Sequence, residues 1–140
     1  MAQLRLLSFI VINSKKSDLH DYLGGPNFIP TYSHAVTGEQ IPITMGHEFS
    51  GTIIEISTGV TGFQISQKAA IQLTIADYRY SCSACKRGLE NVCYNGGFIR
   101  LSGWGGGLSD TICIPAKLVI PLPDNTPLDI GALVEPLSVG

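Results

Sequence analysis

Charged residues are scarce in this 140-residue chain, at 14% of the sequence, against roughly 25% in a typical soluble domain. Nine Lys and Arg stand against eleven Asp and Glu, for a net charge of −2. Because no basic stripe runs along the sequence, nucleic acid is not an expected partner. The chain also lacks the run of about 18 apolar residues that a membrane-spanning helix needs, so we expect no membrane partner.

An export signal is also missing. The apolar stretch at residues 4–12 is followed by Asn-Ser-Lys-Lys, which offers no small-residue cleavage site. We therefore interpret the stretch as a buried strand and expect a cytoplasmic protein. In a reducing compartment, clustered thiols bind metal more often than they form disulfides.

Glycine is abundant, with 16 residues, and proline contributes 8. This mix favours a mainly β fold with many turns, and the length fits one domain. We predict strands at 4–12, 49–56, 68–75, 111–114 and 118–120. A short helix is predicted at 17–23, and a second helix with Thr126 as N-cap and Pro127 at its first position. Residues 78–97 are predicted to form an irregular lobe and residues 103–107 a flexible loop.

A dinucleotide-binding loop is not expected within the chain. The glycines of residues 103–107 would need a further glycine at Leu108 to complete the G-x-G-x-x-G pattern. No βαβ unit surrounds them.

His47 and Glu48 form the first candidate site, directly after Gly46. Imidazole and carboxylate are both zinc ligands. Adjacent side chains on a strand face opposite ways, so both could reach one ion only from a bend, which Gly46 allows. The alternative is an ordinary hydrogen-bonded histidine.

Ser17 and His20 form the second candidate site. Three residues apart, they share one face of a helical turn and could pass a proton from a buried site to water. The alternative is a capped helix start with a solvated histidine.

Glu135 stands among apolar residues, where a carboxylate is costly unless it is paired or bound to metal. The alternative is a surface glutamate at a helix end.

Cys82, Cys85 and Cys93 form the fourth candidate, with C-x2-C-x7-C spacing. A C-x2-C pair can share one zinc ion, but a closed structural site needs four ligands. Arg79 stands where a fourth cysteine would complete the run, and Cys113 is distant. A partial zinc lobe and free thiols both remain open.

Taken together, these segments resemble one family. Residues 46–51, Gly-His-Glu-Phe-Ser-Gly, resemble the zinc signature of medium-chain zinc-dependent alcohol and polyol dehydrogenases. Residues 17–26 resemble the segment that follows the family's first zinc-ligating cysteine. Residues 97–99 with 101–110, and residues 122–125 through 128–140, look most like the 2,3-butanediol dehydrogenase branch. The resemblance implies a GroES-like β-barrel catalytic domain with one or two short helices.

The resemblance also implies roles. His47 would be a zinc ligand, with Glu48 or Glu135 as the acidic ligand, and Asp18 would orient His47. Ser17 would take the proton of an alcohol or diol substrate and His20 would pass it to solvent. Zinc would act as Lewis acid, and NAD(P) on a Rossmann domain would accept the hydride.

The resemblance also has implications for the clustered cysteines and for the oligomeric state. Cys82, Cys85 and Cys93 would belong to the family's structural-zinc lobe. In the full-length family the Rossmann domain carries the dimer contact, so an oligomer is possible there.

Lys15 departs from the family, which has its first ligating cysteine at this position. Unit charges about 5 Å apart at an effective dielectric near 20 repel by roughly 3 kcal/mol, and a dication doubles that. A truncated or decayed, non-catalytic GroES-like module is therefore the alternative function. A zinc-free relative of the quinone-reductase kind is disfavoured by the retained residues 46–48.

The family pattern also starts before residue 1 and continues beyond residue 140 with a Rossmann domain. We therefore expect residues 1–140 to be the GroES-like domain, clipped at its N-terminus, and expect this chain alone to be inactive.

Overall fold

Strands dominate the computed structural model, which describes residues 3–11, 16–77 and 82–139. The strands are β1 (Gln3–Val11), β2 (Phe49–Ile56), β3 (Lys68–Ile71), β4 (Thr74–Ile75), β5 (Gly97–Phe98), β6 (Thr111–Pro115) and β7 (Val119–Pro121). The helices are α1 (Lys16–Gly24), α2 (Leu128–Ala132) and α3 (Val134–Val139), with 3₁₀ turns at Cys85–Arg87, Glu90–Val92 and Ala116–Leu118. None of the described helices is long and apolar enough to cross a membrane.

Five of the described strands form one antiparallel sheet in the order β6-β1-β2-β3-β7. Leu4 in β1 pairs with Ile56 of β2 on one side and Ile114 of β6 on the other. β4 and β5 form a separate two-stranded sheet. Among the side chains that the structure describes, the buried core includes Leu4, Phe49, Ile53, Ala69, Ile71, Leu73, Ile75, Ile99, Ile112, Ile114, Leu118 and Val119. The expected mainly β fold with short helices is confirmed.

The prediction of one strand over residues 68–75 is wrong. β3 ends at Ile71, where it pairs with Val119 of β7, and the chain then leaves the large sheet. Thr74 pairs instead with Phe98 in the small sheet. The apolar pattern continues across the break because both halves are buried, so periodicity alone does not reveal the change of partner.

The loop at residues 103–107, predicted to be flexible, is packed against the segment that leads into β2. The Gly107 N–H donates to the Gly46 carbonyl at 2.8 Å and the Leu108 N–H to the Met45 carbonyl at 2.9 Å. At Gly106 a Cβ atom would lie 2.3 Å from the Met45 carbonyl oxygen. The glycines therefore serve close backbone packing.

The second helix begins one residue later than predicted. Pro127, with extended backbone angles, is the N-cap of α2, and Thr126 precedes it. Leu133 alone separates α2 from α3. The Ser50 hydroxyl donates to the Leu128 carbonyl at 2.6 Å and so holds α2 against β2.

Candidate metal centre

A bend at Gly46 positions the first two candidate ligands. Its φ is +94°, a left-handed conformation, and a Cβ here would lie 2.8 Å from the Leu108 backbone nitrogen. Only glycine meets both demands without strain. The bend immediately precedes β2, so His47 and Glu48 project from irregular backbone rather than from a regular strand.

His47, Glu48 and Glu135 meet at this bend. One ligand atom from each lies within 4.8 Å of the other two. Glu48 is 1% exposed, the His47 side chain is 11% exposed, and Glu135 is half-buried on α3. Sequence reasoning left Glu48 and Glu135 as alternatives, and the fold brings both to His47.

The donor set fits a zinc ion. An imidazole and two carboxylates are zinc ligands, and three protein ligands leave the fourth tetrahedral position open for a substrate oxygen. A cavity of about 180 Å³ adjoins the cluster, lined by His47, Leu73, Phe98, Arg100, Leu101 and Glu135. Its volume and mixed lining suit a small polar molecule.

Asp18 contacts the histidine from behind. Its Oδ2 lies 3.2 Å from His47 Nδ1, and the residue is 4% exposed. This nitrogen therefore faces a carboxylate, which leaves Nε2 as the ring atom available to a metal.

Arg100 is a site residue that sequence reasoning missed. Its Nη1 lies 2.5 Å from Asp18 Oδ1 and 4.0 Å from Asp21 Oδ2. The residue is 2% exposed and has a φ of +84°. Its partner Asp18 stands 82 positions earlier in the chain, so no local pattern could reveal the pair.

Ser17 and His20 lie on α1 beside Asp18. Ser17 is half-buried in the first turn. His20 is exposed, and its Nδ1 lies 3.3 Å from Asn27 Nδ2. Among the described residues, His20 is not part of the ligand cluster.

The three clustered cysteines also come together, with their sulfur atoms within 4.8 Å of one another. The Asp77 N–H donates to Cys93 Sγ at 3.2 Å. Hydrogen bonding from the Tyr94 backbone lowers the pKa of Cys82 to about 6, and burial raises the pKa of Cys85 to about 12.

With the ligands found among the described residues, this thiol cluster does not complete a closed structural zinc site. It supplies three of the four ligands that such a site needs. Cys113 is exposed on β6 and is not in the cluster. Arg79, where a fourth cysteine would complete the run, lies outside the described residues, as does Lys15, where the family has its first ligating cysteine.

Residues 12–124 match the family described as "Alcohol dehydrogenase GroES-like domain". The chain belongs to this family. The expected resemblance and the GroES-like fold class are thereby confirmed.

Relatives of this GroES-like domain include two (R,R)-butanediol dehydrogenases. The Bacillus subtilis protein is 40% identical over 88% of this chain and 34% of its own length. The Saccharomyces cerevisiae protein is 36% identical over 88% of this chain and 36% of its own length. The crystal structure of the Bacillus subtilis 2R,3R-butanediol dehydrogenase superimposes with a TM-score of 0.81, at 35% identity, over 96% of this chain and 37% of that one. The chain thus spans about a third of the length of the curated relatives it matches.

Proposed function

We propose that this GroES-like domain is the catalytic portion of a zinc-dependent, NAD(P)-linked oxidoreductase that acts on a secondary alcohol or vicinal diol. The observation that carries the proposal is the convergence of His47, Glu48 and Glu135 within 4.8 Å. The similarity to two butanediol dehydrogenases supports the substrate class.

The three residues would hold the metal from two parts of the fold. His47 and Glu48 come from the bend before β2, and Glu135 comes from α3. When bound, zinc supplies a Lewis acid for the substrate oxygen, and NAD(P) supplies the hydride acceptor.

Residues of α1 would transfer the substrate's hydroxyl proton and orient His47. Ser17 would accept the proton of the substrate hydroxyl, and exposed His20 would pass it to water. Asp18 would fix the ring of His47 through the 3.2 Å approach to Nδ1. The product would be the corresponding ketone.

The test is metal binding by the 140-residue chain. After equilibration with zinc and dialysis, we expect His47→Ala to bind one zinc fewer per chain than the wild type, measured by elemental mass spectrometry. His20→Ala is the matched histidine control and should retain the wild-type stoichiometry. The difference between variants separates this site from any zinc held by the thiols. Equal stoichiometry in wild type and His47→Ala would sink the proposal.

Lys15→Cys tests the alternative of a decayed module. The substitution removes a cation and adds a thiolate at the position where the family has its first zinc ligand, so zinc affinity should rise. Isothermal titration of wild type and Lys15→Cys measures the change. A folded wild-type chain that gains a His47-dependent zinc only with Lys15→Cys would support the decayed module instead.

A further inference from the structure

A buried cation sits behind the proposed metal centre. Arg100 is 2% exposed, and its φ of +84° is a conformation that a non-glycine residue adopts only at a cost in strain. Burying a guanidinium adds a second cost unless the charge is paired. Arg100 is paired with Asp18, and it also lines the cavity beside His47 and Glu135.

Arg100 holds one end of a chain of contacts that reaches the histidine. Its Nη1 lies 2.5 Å from Asp18 Oδ1, and Asp18 Oδ2 lies 3.2 Å from His47 Nδ1. Each Asp18 oxygen therefore faces one of these two groups, so rotation of the carboxylate would change both contacts. The partners come from three separate segments: α1, the bend before β2, and the residues after β5.

The charges explain why a cation is needed here. Asp18 and Asp21 are both buried, at 4% and 5% exposure, and both approach Arg100. Two like charges without a cation between them would repel, and Asp18 would be pushed off its position. Asp21 is fixed independently, because its Oδ1 accepts the backbone N–H groups of Asn27 and Phe28 at 2.9 and 3.2 Å. The mobile partner would be Asp18.

We infer that Arg100 is a positioning residue of the metal centre, which locks the Asp18 carboxylate so that Asp18 holds the His47 ring with Nε2 directed to the ligand cluster. The inference rests on the proposed function insofar as His47 is a metal ligand. Loss of such an outer partner typically costs roughly 10- to 100-fold in metal affinity.

Cobalt titration of the full chain provides the test, because cobalt absorption reports both affinity and ligand geometry. We expect Arg100→Gly, which removes the cation and suits the positive φ, to weaken His47-dependent cobalt binding roughly 10- to 100-fold. Arg100→Lys should recover part of that loss. Ser66→Gly is the matched control, since it relieves a φ of +69° at an exposed residue outside the centre. It should bind cobalt as the wild type does.

A double-mutant cycle separates positioning from general stability. If Arg100 acts through Asp18, then Arg100→Lys should have little further effect on cobalt affinity in an Asp18→Asn background. Additive losses would overturn the inference. So would wild-type cobalt affinity in folded Arg100→Gly.

A metal-free readout keeps the inference testable on its own. Ring nitrogen NMR shifts of His47 should report one tautomer in the wild type and a mixture in Arg100→Lys. If cobalt binding does not depend on His47 yet the tautomer changes, the proposed function fails while the positioning contact stands. An unchanged tautomer in Arg100→Lys would overturn the inference.

Discussion

The pKa values of Cys82 and Cys85, which are three positions apart, are shifted in opposite directions by their surroundings. The Tyr94 backbone hydrogen bond, followed by that of Cys85, lowers the pKa of Cys82 to about 6. Burial, followed by the hydrogen bond with Cys93, raises the pKa of Cys85 to about 12. Since the thiolate is the nucleophile, the two sulfurs differ in reactivity although their sequence spacing treats them alike.

In the reduced, metal-free chain, we expect iodoacetamide to alkylate Cys82 at half its maximal rate at a pH of about 6. A lowered pKa keeps the thiolate down to that pH, whereas the raised pKa of about 12 keeps Cys85 protonated and slow throughout the neutral range. Peptide mapping by mass spectrometry measures both rates. Exposed Cys113 is the reference thiol within the chain.

A Cys82→Ser variant should lack the acidic phase of alkylation. A Cys82 rate that rises only near the ordinary thiol pKa of roughly 8.5 would contradict the prediction.

Residue type and spacing could predict much of the candidate centre. His47 and Glu48 are adjacent, and Glu135 stands out as a carboxylate among apolar residues. Their convergence could not be predicted from the residues alone, because it depends on α3 packing near the bend before β2. Arg100 could not be predicted at all, since its signal is a contact with a residue 82 positions away.

At the level of elements, the loop at residues 103–107 packs against the bend that carries His47 and Glu48. Glycine-rich composition indicates freedom in isolation, but here it permits backbone contact with residues 44–46. The strand break after Ile71 likewise depends on which segment the chain contacts. In both cases the structure is decided by tertiary pairing between distant segments, which the local sequence pattern does not encode.

We expect Gly106→Ala to destabilise the chain by about 1–3 kcal/mol, the usual range for overpacking. The new Cβ would lie 2.3 Å from the Met45 carbonyl oxygen, so backbone has to move. Since Met45 precedes the bend that carries His47, zinc affinity should fall as well. Urea denaturation and zinc titration measure the two effects.

Gly24→Ala is the matched control, because a Cβ there has its nearest neighbour at 3.7 Å. It should be neutral or slightly stabilising. Equal stability of Gly106→Ala and wild type would mean that the loop does not support the bend.

At the scale of the whole molecule, the proposed centre would connect the bend before β2 with helix α3. α2 is anchored to β2 through Ser50, and α3 follows it directly with Glu135. A metal bound by His47, Glu48 and Glu135 would therefore tie the last helix to the large sheet. Ligand binding of this kind stabilises the folded state by mass action.

Zinc at 100 times its dissociation constant should stabilise the wild-type chain by about 2.7 kcal/mol, seen as a higher melting temperature in differential scanning fluorimetry. His47→Ala should lose this increment and His20→Ala should keep it. A zinc-induced rise of the same size in His47→Ala would assign the effect to the thiol cluster and contradict the prediction.

The pairing of β1 with β6 has a consequence for biosynthesis. Leu4 finds its partner Ile114 only when the ribosome has released most of the domain. At typical translation speeds this delay is on the order of ten seconds, during which one edge of the first strand stays open to other nascent chains. Glu135 emerges later still, so a metal held by all three ligands could bind only after residue 135 has left the ribosome.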